Sequence, residues 1–164
     1  MRQPIIGVMG PGEQAAPLAV QTAYELGQQI AESGWVLLTG GRNTGVMDAV
    51  NRGAKSAGGL TVGILPTSDR AQLSAAVDIP IVTGMGNARN AINVLSSDVV
   101  IACGMGVGTA SEVAIAIKAE KPVVLLNWSQ TGVQFFQEFA SEGVSVADNV
   151  NDAIAIVHQL LQSV

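Results

Sequence analysis

The run Ile101-Ala-Cys-Gly-Met-Gly-Val-Gly-Thr-Ala-Ser-Glu112 combines an apolar strand, a turn with glycine at 104, 106 and 108, and a helix expected to open on Thr109. These are the components of an anion seat. Glycines let the backbone approach a ligand without Cβ obstruction, and the unpaired N–H groups of the following helix aim the positive end of its dipole at the guest. Phosphate suits such a turn best.

Glu112 admits two readings. Thr109-Ala-Ser-Glu112 fits a capping box, in which the Thr109 hydroxyl accepts from the Glu112 amide and the carboxylate reaches back to the Thr109 N–H. Alternatively the carboxylate belongs to the ligand site. The preceding helix bears on the choice: Asn87 is placed to cap it, which sets Arg89 in its first turn, where a cation faces the positive end of the dipole. That placement calls for an anion, either a bound phosphate or Glu112 across the cleft. Arg42, inside the loop Thr39-Gly-Gly-Arg-Asn43, faces the same choice between a carboxylate and a ligand.

The elements that must hold these residues alternate regularly. Strands are predicted at 4–9, 35–38, 60–65, 79–83, 99–102, 123–126 and 144–146. Helices are predicted at 17–33, 44–57, 88–95, 109–119, 133–141 and 151–161. In the first helix Leu18, Tyr24, Leu26 and Ile30 make the apolar stripe. The strands are continuous Val/Ile/Leu runs, which indicates a mostly parallel sheet of six to seven strands covered on both faces: a single, doubly wound Rossmann-like α/β domain over residues 1–164. Ligands bind such sheets beyond the carboxyl ends of the strands, so the turns at 10–12, 40–45, 84–86 and 104–108 should converge. Val113-Ala-Ile-Ala-Ile117 is apolar on every side of its helix and is expected to be buried all round, with a subunit interface a natural place for it.

Composition narrows the classes. A chain of 164 residues with 48% hydrophobic content supports one well-buried core. A formal charge of −5 argues against sequence-independent binding of nucleic acid, which needs a basic stripe. No apolar stretch is long enough to span a bilayer, and Met1-Arg-Gln-Pro leads into a strand instead of a signal peptide. A soluble, cytoplasmic protein is expected. The single cysteine, Cys103, is expected to pack as a small apolar residue, and His158, the single histidine, to lie at the surface. Trp128 reads as core-edge packing, and Phe135, Phe136 and Phe139 as core or interface. Residues 66–78 read equally as a lid or an ordinary surface loop.

Hydride transfer and Walker-type hydrolysis fit poorly. Gly10-Pro11-Gly12 is followed by Glu13 and Gln14 instead of completing G-x-G-x-x-G, Thr39-Gly40-Gly41 replaces the acidic residue that would hold a ribose, and no Gly-Lys-Ser/Thr occurs. Four other stretches are more telling: Gly40-Gly-Arg-Asn-Thr-Gly-Val-Met47, Ala57-Gly-Gly-Leu-Thr-Val-Gly-Ile-Leu-Pro66, Gly86-Asn-Ala-Arg-Asn90 and Gly106-Val-Gly-Thr-Ala-Ser-Glu112. Their order and spacing resemble the LOG-type nucleotide-binding superfamily, and within it the molybdenum cofactor carrier proteins, from about residue 4 to about residue 126.

The resemblance implies a carrier that binds and protects molybdenum cofactor, a phosphorylated pterin, with no protein ligand to the metal. Its phosphate would sit on the Gly106, Gly108 and Thr109 amides, flanked by Met105 and Val107. The pterin and the molybdate oxygens would lie across the cleft toward Gly40, Gly41, Arg42, Thr44 and Gly45, with Arg89 and Glu112 completing the site. The enzymatic branch of the superfamily implies an alternative, a phosphoribohydrolase cleaving nucleoside 5′-monophosphates such as AMP, with Arg89 and Glu112 as its catalytic pair. Gly104-Met105-Gly106 departs from that branch's Pro-Gly-Gly, and Met105 also departs from the run of glycines that the resemblance implies for the carrier branch. A nucleotide-sensing module is a third implication. The resemblance further implies a homo-oligomer, dimer or tetramer, and transfer partners among molybdoenzymes or cofactor-biosynthesis proteins.

Overall fold

The computed structural model describes residues 2–140 and 142–162. Seven strands are present: β1 (Ile5–Met9), β2 (Val36–Thr39), β3 (Thr61–Leu65), β4 (Ile79–Val82), β5 (Val99–Cys103), β6 (Val123–Leu126) and β7 (Val144–Ala147). Six helices join them: α1 (Pro17–Glu32), α2 (Gly45–Ser56), α3 (Asn90–Leu95), α4 (Val107–Lys118), α5 (Gln130–Gln137) and α6 (Val150–Gln162). The predicted helix over 133–141 begins three residues early, at Gln130, because Ser129 caps it by accepting from the Gly132 N–H. Its predicted last residue, Ser141, lies outside the described residues, as does Met1.

Every strand pair in the sheet is parallel, in the order β4-β3-β2-β1-β5-β6-β7. The pleat divides each buried strand between two cores. Ile6, Val8, Leu37, Ile101, Cys103, Val124 and Leu126 pack with α1, α2 and α6 on one face. Met9, Leu38, Val100, Ala102, Val123 and Leu125 pack with α3, α4 and α5 on the other. This two-sided burial is why the strands read as unbroken apolar runs. β4, at the edge, leaves Ile79, Ile81 and Val82 exposed.

Two sequence expectations about which helical residues are buried fail. Leu18 does not face the core; it is 66% exposed, and the stripe of α1 runs instead through Ala19, Ala23, Leu26, Gly27 and Ile30. Small residues occupy that stripe because α1 and α2 touch backbone to backbone: a Cβ on Gly27 would stand 2.1 Å from the Val50 carbonyl oxygen, and one on Gly53 2.0 Å from that of Tyr24. Gly53→Ala must separate the helices, and we expect it to lower stability by about 2 kcal/mol in urea denaturation; an unchanged midpoint would contradict this packing. In α4, Val113 and Ala116 are buried, but Ala114 is exposed and Ile115 and Ile117 are half-buried, so within one chain this segment is not covered all round.

Strand order reverses between β1 and β5. From β1 the chain builds outward through β2, β3 and β4, then returns to place β5 on the other side of β1. The crevice above those two carboxyl ends is where an open α/β sheet presents its ligand site.

Candidate functional site

A cavity of about 350 Å³ occupies this crevice. Met9, Gly10, Pro11, Gly12, Glu13 and Gln14 line it from the end of β1, and Gly40 and Arg42 from the end of β2. Met47 of α2 and Asn87, Arg89 and Asn90 contribute further walls. The start of α4 supplies the rest through Gly106, Val107, Gly108, Thr109 and Glu112. Three of the four glycine turns thus meet as their position after parallel strands requires, and the fourth sends in the residues that follow Gly86.

α4 opens two residues before Thr109. Gly106 is its N-cap, in extended backbone at φ −161° and ψ 162°, and no side chain caps the end. The capping box therefore does not form, because Thr109 is already inside the first turn. The amides of Val107, Gly108 and Thr109 have no intrahelical acceptor at this position and face the crevice end of the helix. The Thr109 hydroxyl oxygen is buried with no hydrogen-bond partner among the described residues. Glu112, 7% exposed, accepts from the Asn93 amide at 3.0 Å. Burial pushes its carboxyl up to about 7, against the opposing pull of the Asn93 hydrogen bond and then of the Arg89 charge.

Arg89 also sits differently from expectation. Asn87 caps nothing; it belongs to a 3-10 turn, Gly86–Arg89, that leads directly into α3. The guanidinium is buried, its Nη1 donates to Asn90 Oδ1 at 3.0 Å, and its Nε has no partner among the described residues. Burial depresses its pKa, the Glu112 charge opposes that shift and the Arg42 charge adds to it. None of the ion pairs among the described residues engages Arg89. A buried cation with an unused donor on a cavity wall is costly until an anion reaches it. The supporting bonds tie both sides of the seat together: Asn90 Nδ2 donates to the Ser111 hydroxyl at 2.9 Å, which donates to the Gly108 carbonyl at 2.6 Å. Gly40 leaves room for the same arrangement: a Cβ there would stand 2.8 Å from both Arg89 Nη2 and Met47 Sδ and would push those side-chain ends aside.

Arg42 lines the cavity with its charge engaged. Its guanidinium pairs with Glu13, and its Nε donates to Gln72 Oε1 at 3.1 Å. Four other expected site residues do not line it. Gly41 and Gly45 take positive φ and pack on the backbones of Gly63 and Gly12, and Thr44 is the N-cap of α2; all three shape the loop. Met105 turns outward, 53% exposed, with its sulfur accepting from the Ser129 hydroxyl. The sequence set omitted Met9 to Gln14, Met47, Asn87 and Asn90. The 10–12 turn was a visible signal for part of it; Asn93, which holds Glu112, had none.

The remaining candidates are structural. Burial raises the Cys103 thiol to about 12, so it stays neutral. His158 is exposed and rests on Trp35, ring centroids 4.5 Å apart. Trp128 donates to the Ala102 carbonyl at 2.9 Å and packs edge-on to Phe136. Phe136 is buried, whereas Phe135 and Phe139 are exposed on the single chain. The 66–78 segment is anchored to the β2–α2 loop, Ser74 N–H donating to the Gly41 carbonyl at 2.9 Å and Asn43 N–H to that of Gln72 at 2.8 Å. No group of three or more His, Cys, Asp or Glu residues that could hold a metal occurs among the described residues. No helix among them is long and apolar enough to cross a membrane.

A cavity walled by glycine turns and unpartnered donors at the switch point of a seven-stranded parallel sheet defines a Rossmann-like α/β protein with a site of the chemistry that suits an anion. The chain belongs to the SLOG cluster4 family, whose model matches residues 3–154. It is similar in structure to the molybdenum cofactor binding protein of the phototrophic bacterium Rippkaea orientalis, at 57% identity and a TM-score of 0.97, covering 98% of this chain and 99% of that one. The Moco (molybdenum cofactor) carrier protein of Chlamydomonas reinhardtii matches at 55% identity and a TM-score of 0.94, over 99% of this chain and 100% of that one. A cytokinin riboside 5′-monophosphate phosphoribohydrolase of Mycobacterium tuberculosis is 32% identical over 157 residues, covering 82% of this chain and 83% of the enzyme. The fold and family expected from the motifs are therefore those of the LOG-like superfamily, with Moco carriers as near neighbours.

Proposed function

We propose that this protein binds and protects molybdenum cofactor, with the terminal phosphate of the pterin held by the Val107, Gly108 and Thr109 amides, the Thr109 hydroxyl and Arg89. The observation that carries the site is the pair of buried, unpartnered donors, Thr109 Oγ1 and Arg89 Nε, on residues lining one cavity. A phosphate supplies acceptors for both, and the helix dipole adds to their pull. The choice of cargo is supported by near-full-length similarity at 55–57% identity to proteins described as cofactor carriers. The protein needs no ligand to the metal in this role. Its own residues bind the phosphate, orient the pterin and keep water from the buried end of the crevice.

Thr109→Val preserves the shape of the seat and removes the hydroxyl. Cofactor retention should fall about tenfold at an unchanged melting temperature, read from the fluorescence of oxidised pterin released by the purified protein. Equal retention by variant and parent would remove Thr109 from the site.

The placement of Arg89 and Glu112 on the same cavity favours one second reading, a phosphoribohydrolase, in which the carboxylate would stabilise a ribosyl cation or orient water. Release of adenine and ribose 5-phosphate from AMP, abolished in Glu112→Gln, would establish it. Under the carrier reading the protein acts in the cytoplasm as a homo-oligomer and hands its cargo to molybdoenzymes or cofactor-biosynthesis proteins. The incompletely covered Ile115 and Ile117 face of α4 supports a subunit contact there.

A further inference from the structure

The cavity is lined by two arginines and two glutamates, and the two pairs are built differently. Arg89 and Glu112 are buried, whereas Arg42 and Glu13 meet at the mouth. Arg42 is the fixed member of the outer pair. Its Nε donates to Gln72, its backbone bridges to Leu73, and the next amide, Asn43 N–H, donates to the Gln72 carbonyl at 2.8 Å. Its side chain is 24% exposed. Glu13 is the loose member: its side chain is 66% exposed, it rides on the β1–α1 turn, and Arg42 is its one side-chain hydrogen-bond partner among the described contacts. Its own backbone amide first, and then Arg42, hold its carboxyl below the usual range. It is therefore an anion at neutral pH. An ion pair with one partner this hydrated gives little net free energy and exchanges readily.

A well-anchored guanidinium facing a ligand cavity, neutralised by a carboxylate that water already solvates, is a second anion seat with a temporary occupant. We infer that Glu13 is a resident counter-ion displaced from Arg42 by a second anionic group of the cargo, so that the cavity selects molecules carrying two separate anionic groups. One group meets the α4 amides and Arg89, and the other meets Arg42. This inference rests on the carrier reading, in which the second group is the set of oxygen atoms on molybdenum. Glu13 sets affinity by competition, screening Arg42 from singly anionic metabolites and yielding to a ligand whose first group is already anchored.

Calorimetric titration of the parent, Glu13→Gln and Arg42→Gln with molybdenum cofactor and with ribose 5-phosphate tests the exchange. Glu13→Gln should tighten cofactor binding several-fold and Arg42→Gln weaken it about tenfold, with ribose 5-phosphate affinity changing less than about twofold in both. Cofactor binding by Arg42→Gln equal to that of the parent overturns the inference, as does an equal shift for both ligands. Failure of the parent to bind cofactor overturns the carrier reading instead. The exchange is then decided by ribose 1,5-bisphosphate against ribose 5-phosphate, where only the doubly anionic sugar should respond to the two substitutions.

Discussion

Arg89→Gln should lose cofactor about 100-fold more readily than the parent, since it removes the buried cation and the charge-assisted bonds a phosphate would receive. The side chain has no ion pair to surrender, and its Nε has no partner. The loss should therefore fall on binding and leave the fold largely intact. The neighbouring bonds support this separation: Asn90 remains tied to Ser111, and Ser111 to Gly108, whatever stands at 89. Pterin fluorescence per protomer after gel filtration measures retention, and thermal unfolding measures the fold. Full retention by Arg89→Gln would detach the anion seat from this arginine. A collapse of melting temperature in step with retention would show that the arginine serves the fold.

The second large effect is on stability as a function of pH. The Glu112 carboxyl titrates at about 7 in the folded chain against 4.5 in the unfolded one, chiefly because burial penalises its charge. The native state thus holds a proton that the unfolded state has released. Its contribution is complete below about pH 4.5 and is lost as pH rises through about 7, amounting to about 3 kcal/mol. Glu112→Gln, which cannot ionise, should remove that slope. Measured by urea denaturation, the variant should gain on the parent across this window and hold its advantage above it. A difference that stays constant from about pH 4 to about pH 8 would mean that Glu112 titrates as an ordinary surface carboxylate. The same burial bears on ligand binding, since a phosphate near Glu112 disfavours its ionised form, so binding should take up protons near neutrality.

Much of this molecule could be read without coordinates. Strand runs with no polar alternation require burial on both faces, and helices between them require parallel crossovers, so the doubly wound sheet followed from pattern alone. β6 matched its expected bounds, 123–126, and the other strands moved by about a residue at their ends. The convergence of the glycine turns followed too, because every one comes after a strand's carboxyl end. Local conformations were less legible. A threonine followed three residues later by a glutamate signals a helix start, yet Gly106 adopts extended backbone and starts α4 earlier, which turns Thr109 from a cap into an unpartnered donor. Leu18 fits the periodicity of α1 and still points outward, because the helix buries the glycine and alanine face that lets α2 approach.

By itself, the sequence determined the sheet, the edge on which its loops gather, and the presence of an arginine and a glutamate among them, since these depend on periodicity and chain order. Only the tertiary structure decided which charge is free and which is engaged: Arg42 finds Glu13 and Gln72, Glu112 finds Asn93, and Arg89 pairs with no carboxylate among the described residues. Those pairings join residues far apart in the chain. Their partners are selected by how closely glycines at 10 and 40 let neighbouring segments approach, a distance that no spacing in a single strand or helix encodes.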